Sequence, residues 1–241
     1  MSRARKHHVQ QLLPFRRRGG KRKGAGRPKK GYRASERHKR REPLPARCPA
    51  HVTLRVDNTL DGLRKRHAYD AIRQALPSTF RRSDFRICQI TLQRDHVHLI
   101  VEASDARALA RGMQGFEIAA AHRLNAAVSK KRGYLRRGRV FSDRYHAHIL
   151  RTPTEVRRAL NYVLNNWRHH AEHREMESMN WEVDYFSSGP TFTRWKEPSP
   201  PIPTRYEPLP MRPASTWLLS VGWVKAGELS ICATPGPDCY E

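Results

Sequence analysis

The sequence of 241 residues has few acidic residues. Only 22 Asp and Glu stand against 47 Lys and Arg, which gives a formal net charge of +25. A positive excess of this size favours a polyanionic partner, either nucleic acid or an anionic membrane surface. It argues against a small metabolic enzyme that has no such partner.

The sequence also lacks long apolar runs. The longest of them, such as residues 216–221, are far shorter than the roughly 18–20 residues that a helix needs to span a bilayer. The N-terminus shows no apolar signal region, because Leu12 and Leu13 are followed by a proline and three arginines. We therefore expect a soluble protein of the cytoplasm or nucleoid, without a membrane partner.

Cysteine is scarce as well, with four residues at Cys48, Cys88, Cys232 and Cys239. They form no Cys-x-x-Cys pair and do not have the spacing of a zinc finger. The pattern predicts free or buried thiols in a reducing compartment.

Charge and proline divide the chain into segments. Residues 1–47 contain 18 Lys and Arg but two acids, so they carry +16 of the total, and they are poor in apolar side chains. This composition predicts a disordered basic arm. Residues 198–213 contain seven prolines, which predicts an extended linker. The predicted segments are the basic arm 1–47, one globular domain 48–197, the Pro-rich linker 198–213 and a C-terminal tail 214–241.

Between the arm and the linker, the hydrophobic pattern predicts the order β-α-β-β-α-β-α. Thr152, Pro153 and Glu155 have the pattern of an N-cap, a first-turn proline and a capping box, so they mark the start of the last helix. The order indicates an α+β fold, a ferredoxin-like split βαβ antiparallel sheet with an added C-terminal helix. The predicted strands are 51–56, 85–92, 96–102 and 139–150, and the predicted helices are 62–76, 105–130 and 153–171.

Two histidines on one predicted strand are the first candidate site. His96 and His98 are two residues apart, so their side chains share one face of the strand, about 7 Å apart along the backbone. Two neutral imidazoles at this spacing can bind one divalent cation. The alternative is a pair of ordinary half-buried strand histidines. His146 and His148 have the same spacing on another predicted strand. Their role could be that of a neighbour of the site, a DNA contact or a structural pair, and the spacing alone does not decide which of the two pairs binds the cation.

The last predicted helix carries a second candidate feature. Tyr162 and Asn166 lie one turn apart, on one flank of its apolar stripe. A tyrosine oxygen can act as a nucleophile, and an asparagine carbonyl suits a hard divalent cation. The alternative is a hydrogen-bonded Tyr and Asn at a helix–sheet contact. Together with two imidazoles, the pair would form a two-His-one-amide cation site beside a nucleophile that attacks a phosphodiester and retains the phosphate as an ester.

The runs His-Val-His-Leu-Ile-Val-Glu at 96–102 and Tyr-Val-Leu-Asn-Asn at 162–166 resemble the single-tyrosine HUH transposases. Within them, the chain looks most like the REP-associated tyrosine transposases, which are IS200-like transposases. Residues 112–115 and 144–153 are also similar to that branch, and the resemblance covers roughly residues 48–172.

The resemblance implies a ferredoxin-like fold and cleavage of single-stranded DNA at or near hairpin-forming repeats, with Mg²⁺ or Mn²⁺ as cofactor. It implies a covalent 5′-phosphotyrosine and a free 3′-hydroxyl, with Tyr162 as nucleophile and with His96, His98 and Asn166 as metal ligands. It also ranks His96 and His98 above His146 and His148. Many relatives have Asn-Pro after the tyrosine, whereas Trp167 follows Asn166 here, so we expect the helix to continue past the site.

A short stretch of the basic arm resembles an AT-hook. Glycine and proline keep the backbone narrow and extended, Arg27 can enter an A·T-rich minor groove, and the flanking lysines can bind phosphates. The alternative is a generic basic tail, and either interpretation places the arm on nucleic acid. The residues of the hook-like stretch that we expect to contact DNA are Gly26, Arg27, Pro28, Lys29 and Lys30.

The aromatic residues that follow the tyrosine helix are expected to pack on the domain as core or lid, or alternatively to stack on unpaired bases. They are Trp181, Tyr185, Phe186, Phe192 and Trp195.

Three functions fit the sequence. The first is an active single-strand DNA transposase that works as a monomer or a homodimer. The second is a non-catalytic, domesticated DNA-binding regulator with the same fold. The third is a basic RNA-associated structural protein, which would not need the histidine and tyrosine features together.

Overall fold

The computed structural model describes residues 42–168 and 182–236. Contacts between Cα atoms divide the chain into the units Met1–Ser35 and Glu36–Glu241, and all described residues belong to the second. The AT-hook-like stretch, Trp181 and Cys239 therefore lie outside the described residues.

The described elements follow the predicted order β-α-β-β-α-β-α. The fourth strand is shorter than predicted. It spans four residues instead of 139–150, because Arg136 and Arg139 hold the preceding loop by donating to the backbone carbonyls of Arg139 and Phe141. The elements are β1 (Ala50–Arg55), α1 (Arg66–Ala75), β2 (Phe85–Leu92), β3 (His96–Ala103), α2 (Ala106–Arg132), β4 (His146–Ile149), α3 (Pro153–Asn165) and a short C-terminal helix α4 (Trp217–Ser220).

The strands form one antiparallel sheet in the order β2-β3-β1-β4, so that β3 and β1 are interior strands. An irregularity between Ile87 and Gln89 shifts the register of β2 against β3. A bulge of this kind changes which side chains face the same way. Beyond it, Gln89 and Thr91 share a face with His98.

One face of the sheet carries the main apolar core. Val97, Leu99 and Val101 of β3 are fully buried and face the side of α2. Gly112 allows α2 to approach closely, because a Cβ added there would lie 2.1 Å from Cγ of Phe85. The absence of a side chain at this position therefore sets the distance between helix and sheet.

The helix that carries Tyr162 begins as predicted. The Thr152 hydroxyl accepts from the backbone of Glu155, and the Glu155 carboxylate accepts from the backbone of Thr152, which completes the capping box. The α-helix ends at Asn165 and continues as a 3-10 turn at Asn166–Arg168. It is thus shorter as an α-helix than the predicted 153–171, and residues 169–171 lie outside the described residues.

After the gap in the description, the chain returns to the free edge of β2. The backbone N–H of Leu92 donates to Phe186, and that of Ser188 donates to Ile90, each over 2.8 Å. These bonds extend the sheet by a short bridge and protect the edge strand.

The returning segment is locked by a buried ion pair. Arg64 donates to both oxygens of Asp184 over 2.9 and 2.8 Å, with both side chains almost fully buried. Phe192 and Trp195 are buried, and Tyr185 and Phe186 pack against the core, which confirms the predicted packing of these aromatic residues.

Residues 198–213 contain no helix or strand, and the structure describes all of them. They lie along α1 and β2: the Tyr69 hydroxyl donates to the carbonyl of Glu207 over 2.8 Å, and the backbone of Arg212 donates to Ile87 over 3.1 Å. The second half of the proline-rich stretch, residues 206–213, is therefore attached to the domain surface.

The following tail is docked by Glu102 of β3. This buried carboxylate accepts hydrogen bonds from the backbone N–H groups and hydroxyls of Ser215 and Thr216, over 2.7–3.2 Å. The tail then runs beside α3, where side chains of Arg157, Asn165 and Arg168 donate to carbonyls of residues 227–231 over 2.8–3.2 Å. These bonds fix the position of the tyrosine helix.

Within residues 42–168 and 182–236, no helix has the length and apolar character that crossing a membrane requires.

Candidate active site

The sheet face opposite the main core gathers imidazoles from two interior strands. On β3, His96 and His98 share this face, as the alternation predicts. On β1, Thr53 lies directly opposite His98, so it shares the same face, and His51 lies two residues before it. The sheet therefore brings a third histidine, His51, to the pair.

Tyr162 lies against these rings. Its ring centroid is 5.0 Å from that of His98 and 5.7 Å from that of His51, and both contacts are edge-to-face. The rings of His96 and His98 are 4.6 Å apart and nearly perpendicular, whereas His51 stacks on His98 at 5.2 Å. The tyrosine and the imidazoles thus form one cluster, although they come from three separate elements.

His96 is oriented by the residue before it. Its Nδ1 donates to Oδ1 of Asp95 over 2.6 Å, and this hydrogen bond lowers the pKa of the Asp95 carboxyl. A carboxylate on one ring nitrogen fixes the tautomer and raises the basicity of the other. For a cation, His96 would therefore use Nε2. Asp95 directly precedes the pair in the sequence, but the strand pattern by itself assigns it no role.

His98 is oriented from β1. Its Nδ1 lies 3.2 Å from Oγ1 of Thr53 and 3.2 Å from Nε2 of His51. Hydrogen bonding through Nδ1 again assigns cation binding to Nε2.

His51 is almost completely buried, with 2% of its surface exposed. Burial, together with the smaller effects of the nearby His148, His146 and His96, lowers the pKa of His51 to about 3. The imidazole is therefore neutral at neutral pH and can accept as well as donate a hydrogen bond. Sequence reasoning missed His51, because its only local signal is its position on the first strand.

Asn166 follows Tyr162 by one turn and is fully buried. Neither its amide nitrogen nor its amide oxygen has a hydrogen-bond partner among the described residues. A buried polar group without a partner costs about 1–3 kcal/mol, so such a group has to be explained. An amide oxygen is a suitable ligand for Mg²⁺ or Mn²⁺, and the residue thus fits a cation site.

In the described part of the chain, no three or more His, Cys, Asp or Glu side chains form a metal-binding group. The residue type of a third protein ligand beside His96 and His98 would therefore be other than His, Cys, Asp or Glu, and a buried amide oxygen such as that of Asn166 is of a suitable chemical type. The two imidazoles and the orphaned amide agree in chemistry with the set expected from the sequence.

His146 and His148 lie on the same sheet face but on β4, which pairs only with β1 within the described residues. His148 is directly opposite His51, and His146 is opposite Thr53. Both imidazoles are exposed to solvent. The structure thus places the second pair beside the cluster, at the open border of the sheet.

Comparisons with known proteins complete the description. The chain is similar to the solved structure of a REP-associated tyrosine transposase bound to a REP hairpin, with 16% identity, a TM-score of 0.47, and coverage of 64% of this chain and 82% of that chain. No curated protein is significantly similar in sequence. The family model described as "Transposase IS200 like" matches residues 46–166, which is just over half of the chain and includes the whole cluster. The chain therefore belongs to the IS200-like transposase family.

Proposed function

We propose that this protein cleaves and joins single-stranded DNA, at or near hairpin-forming repeats, through nucleophilic attack by Tyr162. The phenolic oxygen forms a bond to phosphorus as the bond from phosphorus to the 3′ oxygen breaks. The phenolic proton passes to solvent, and the 3′ oxygen takes up a proton as the free hydroxyl. The product is a 5′-phosphotyrosine, which retains the bond energy for a later strand transfer in DNA transposition.

The observation that carries the proposal is the contact of Tyr162 with His98, together with the orphaned buried amide of Asn166 one turn later. His96 and His98 would hold Mg²⁺ or Mn²⁺ through Nε2, and Asn166 would hold it through its amide oxygen. When bound, the cation would polarise the phosphodiester and offset its developing negative charge.

Exposed basic residues next to the cluster support a polyanionic substrate. Arg55 lies opposite His96 in the register of β1 and β3, and Arg158 lies one turn before Tyr162 on α3. Both side chains are exposed, so they are suited to contact the phosphates of a bound strand.

We further propose that the domain has the ferredoxin-like fold. The strand order β2-β3-β1-β4, with α1 and α2 on one face of the sheet, supports the arrangement of a split βαβ unit.

We also propose a DNA-binding role for the segment that precedes the domain. The basic arm 1–47, with Arg27 in its AT-hook-like stretch, would bind duplex DNA without taking part in the chemical step.

The experiment is a covalent trapping assay on the full chain. Hairpin oligonucleotides that the protein retains in a gel shift are incubated with protein and Mn²⁺, and SDS-resistant protein–DNA adducts are quantified. We expect an adduct from the wild type and none from Tyr162→Phe, because the phenylalanine ring has no oxygen to attack phosphorus. Tyr134→Phe is the matched control, since Tyr134 is exposed at the end of α2, and it should form the adduct normally.

An equal adduct from Tyr162→Phe would show that another residue is the nucleophile. If no retained hairpin gives a wild-type adduct, the result would favour the non-catalytic DNA-binding protein instead.

A further inference from the structure

The contact between His51 and His98 constrains the protons of both rings. Nε2 of His51 and Nδ1 of His98 are 3.2 Å apart, and both residues are buried, with 2% and 3% of their surfaces exposed. A neutral imidazole has one nitrogen that carries a proton and one that carries a lone pair. In such a contact, one of the two facing nitrogens must donate and the other must accept.

Two arrangements are possible, and they differ in the state of the far side of His98. If His51 donates from Nε2, the proton of His98 must lie on its own Nε2, which then has no lone pair for a cation. If His98 donates from Nδ1, its Nε2 carries a lone pair. Only the second arrangement allows His98 to be a metal ligand through Nε2.

We infer that His51 is a positioning residue, which accepts a hydrogen bond from Nδ1 of His98 and thereby holds His98 in the tautomer that can bind a cation. This inference rests on the proposed function, because it assigns a role at the same site. The planes of the two rings differ by 26°, with centroids 5.2 Å apart, so contact with His51 also restricts the orientation of the His98 ring. Partners of this kind around metal ligands fix ring orientation and raise ligand basicity.

The neighbouring Thr53 does not make His51 redundant. The Thr53 hydroxyl also lies 3.2 Å from Nδ1 of His98, but a hydroxyl can rotate and either donate or accept. It is therefore compatible with both tautomers of His98. His51 adds a second, buried acceptor beside Nδ1 of His98, and its ring contacts both His98 and Tyr162.

The test measures Mn²⁺ affinity by titration calorimetry on the full chain without DNA. His51→Leu removes the acceptor, and we expect it to weaken Mn²⁺ binding by about 10–100-fold, the usual effect of losing such a partner. His51→Gln supplies an amide oxygen that can accept from His98, so its affinity should remain within about threefold of the wild type. His148 lies directly opposite His51 but is exposed. His148→Leu therefore makes the same chemical change outside the buried contact and should leave the Mn²⁺ affinity unchanged.

A His51→Leu variant that binds Mn²⁺ as tightly as the wild type would overturn the inference while leaving the proposed function intact. A wild type that binds no Mn²⁺ would overturn the cation site of the proposed function and the inference with it.

A second measurement needs no substitution and decides the question even if His51→Leu does not fold. Long-range ¹H–¹⁵N spectra of the metal-free wild type report which nitrogen of each histidine carries the proton. We expect His98 to be protonated on Nδ1 before any cation binds. Protonation of His98 on Nε2 in the metal-free protein would contradict the inference.

Discussion

His96–His98 and His146–His148 have the same sequence spacing and lie on the same face of one sheet, yet their surroundings differ. His98 lies on the interior strand β3, is 3% exposed and is covered by Tyr162. His146 and His148 lie on β4 at the border of the described sheet, and both are exposed.

The difference shows that spacing on a strand places two imidazoles together but does not make a site. On the neighbouring strand β1, Thr53 and His51 lie within hydrogen-bonding distance of Nδ1 of His98, and Tyr162 of α3 covers the His98 ring. A covered position also excludes water, which strengthens electrostatic interactions with a bound cation. The pair on β4 has one neighbouring strand within the described residues, and water competes for its nitrogens.

The largest expected effect compares one member of each pair. His98→Ala should lower the rate of adduct formation by about 100-fold or more, since even the loss of a partner behind a metal ligand costs 10–100-fold. His148→Ala should change the rate by less than about threefold. The measurement is the covalent trapping assay with Mn²⁺ at fixed hairpin concentration. Similar losses in both variants would show that the two pairs act together and would break the comparison.

Two glycines of α2, on the other side of the sheet, allow a second comparison between a covered and an open position. Gly112 faces the Phe85 ring, whereas Gly115 has no described neighbour. A Cβ at Gly112 would overlap the Phe85 ring, so Gly112→Ala should lower the free energy of unfolding by about 1–3 kcal/mol through overpacking. A Cβ at Gly115 meets no described atom within 4 Å, so Gly115→Ala should raise it by about 0.5–1 kcal/mol. Urea unfolding measures both, and equal changes would show that helix and sheet are not in close contact.

The smallest expected effect is the difference in free energy of unfolding between substitutions at two adjacent asparagines, Asn165 and Asn166. Asn165 donates to Asn161 and to the carbonyl of Ser230, whereas the Asn166 amide has no partner among the described residues. Without metal, Asn165→Leu should lower the free energy of unfolding by about 1 kcal/mol, and Asn166→Leu should leave it equal or slightly higher. Asn166→Leu should nevertheless lose Mn²⁺ binding.

Urea unfolding in EDTA and Mn²⁺ titration together test this pair. A strong destabilisation by Asn166→Leu in EDTA would show that its amide has a structural partner, and it would remove the argument that the amide awaits a cation.

Much of the cluster could be predicted from local pattern. Alternation on a strand placed His96 and His98 on one face, and the capping box at Thr152 and Glu155 marked the start of the helix that carries Tyr162. These features depend on the period of the backbone over a few residues. The end of that helix was predicted less well, because the 3-10 turn at Asn166–Arg168 forms where side chains meet the returning tail.

Other features depend on contacts between distant residues. The role of His51 requires the register of β1 against β3, which pairs residues more than forty positions apart. The Pro-rich stretch was predicted to be extended, but its position along α1 depends on bonds such as that from Tyr69 to Glu207. The length of β4 depends on arginines that bind the preceding loop.

The sequence by itself determined the charge, the order of the elements, and the residue types able to bind a cation and attack phosphorus, because composition and short periods are properties of the chain. Tertiary structure decided that His98 became buried under Tyr162 and that His51 joined it. It also decided that the Asn166 amide would be buried without a partner. Burial and hydrogen bonding arise only when strands and helices that are far apart in the chain pack together, and they set the proton positions and the exclusion of water on which the site depends.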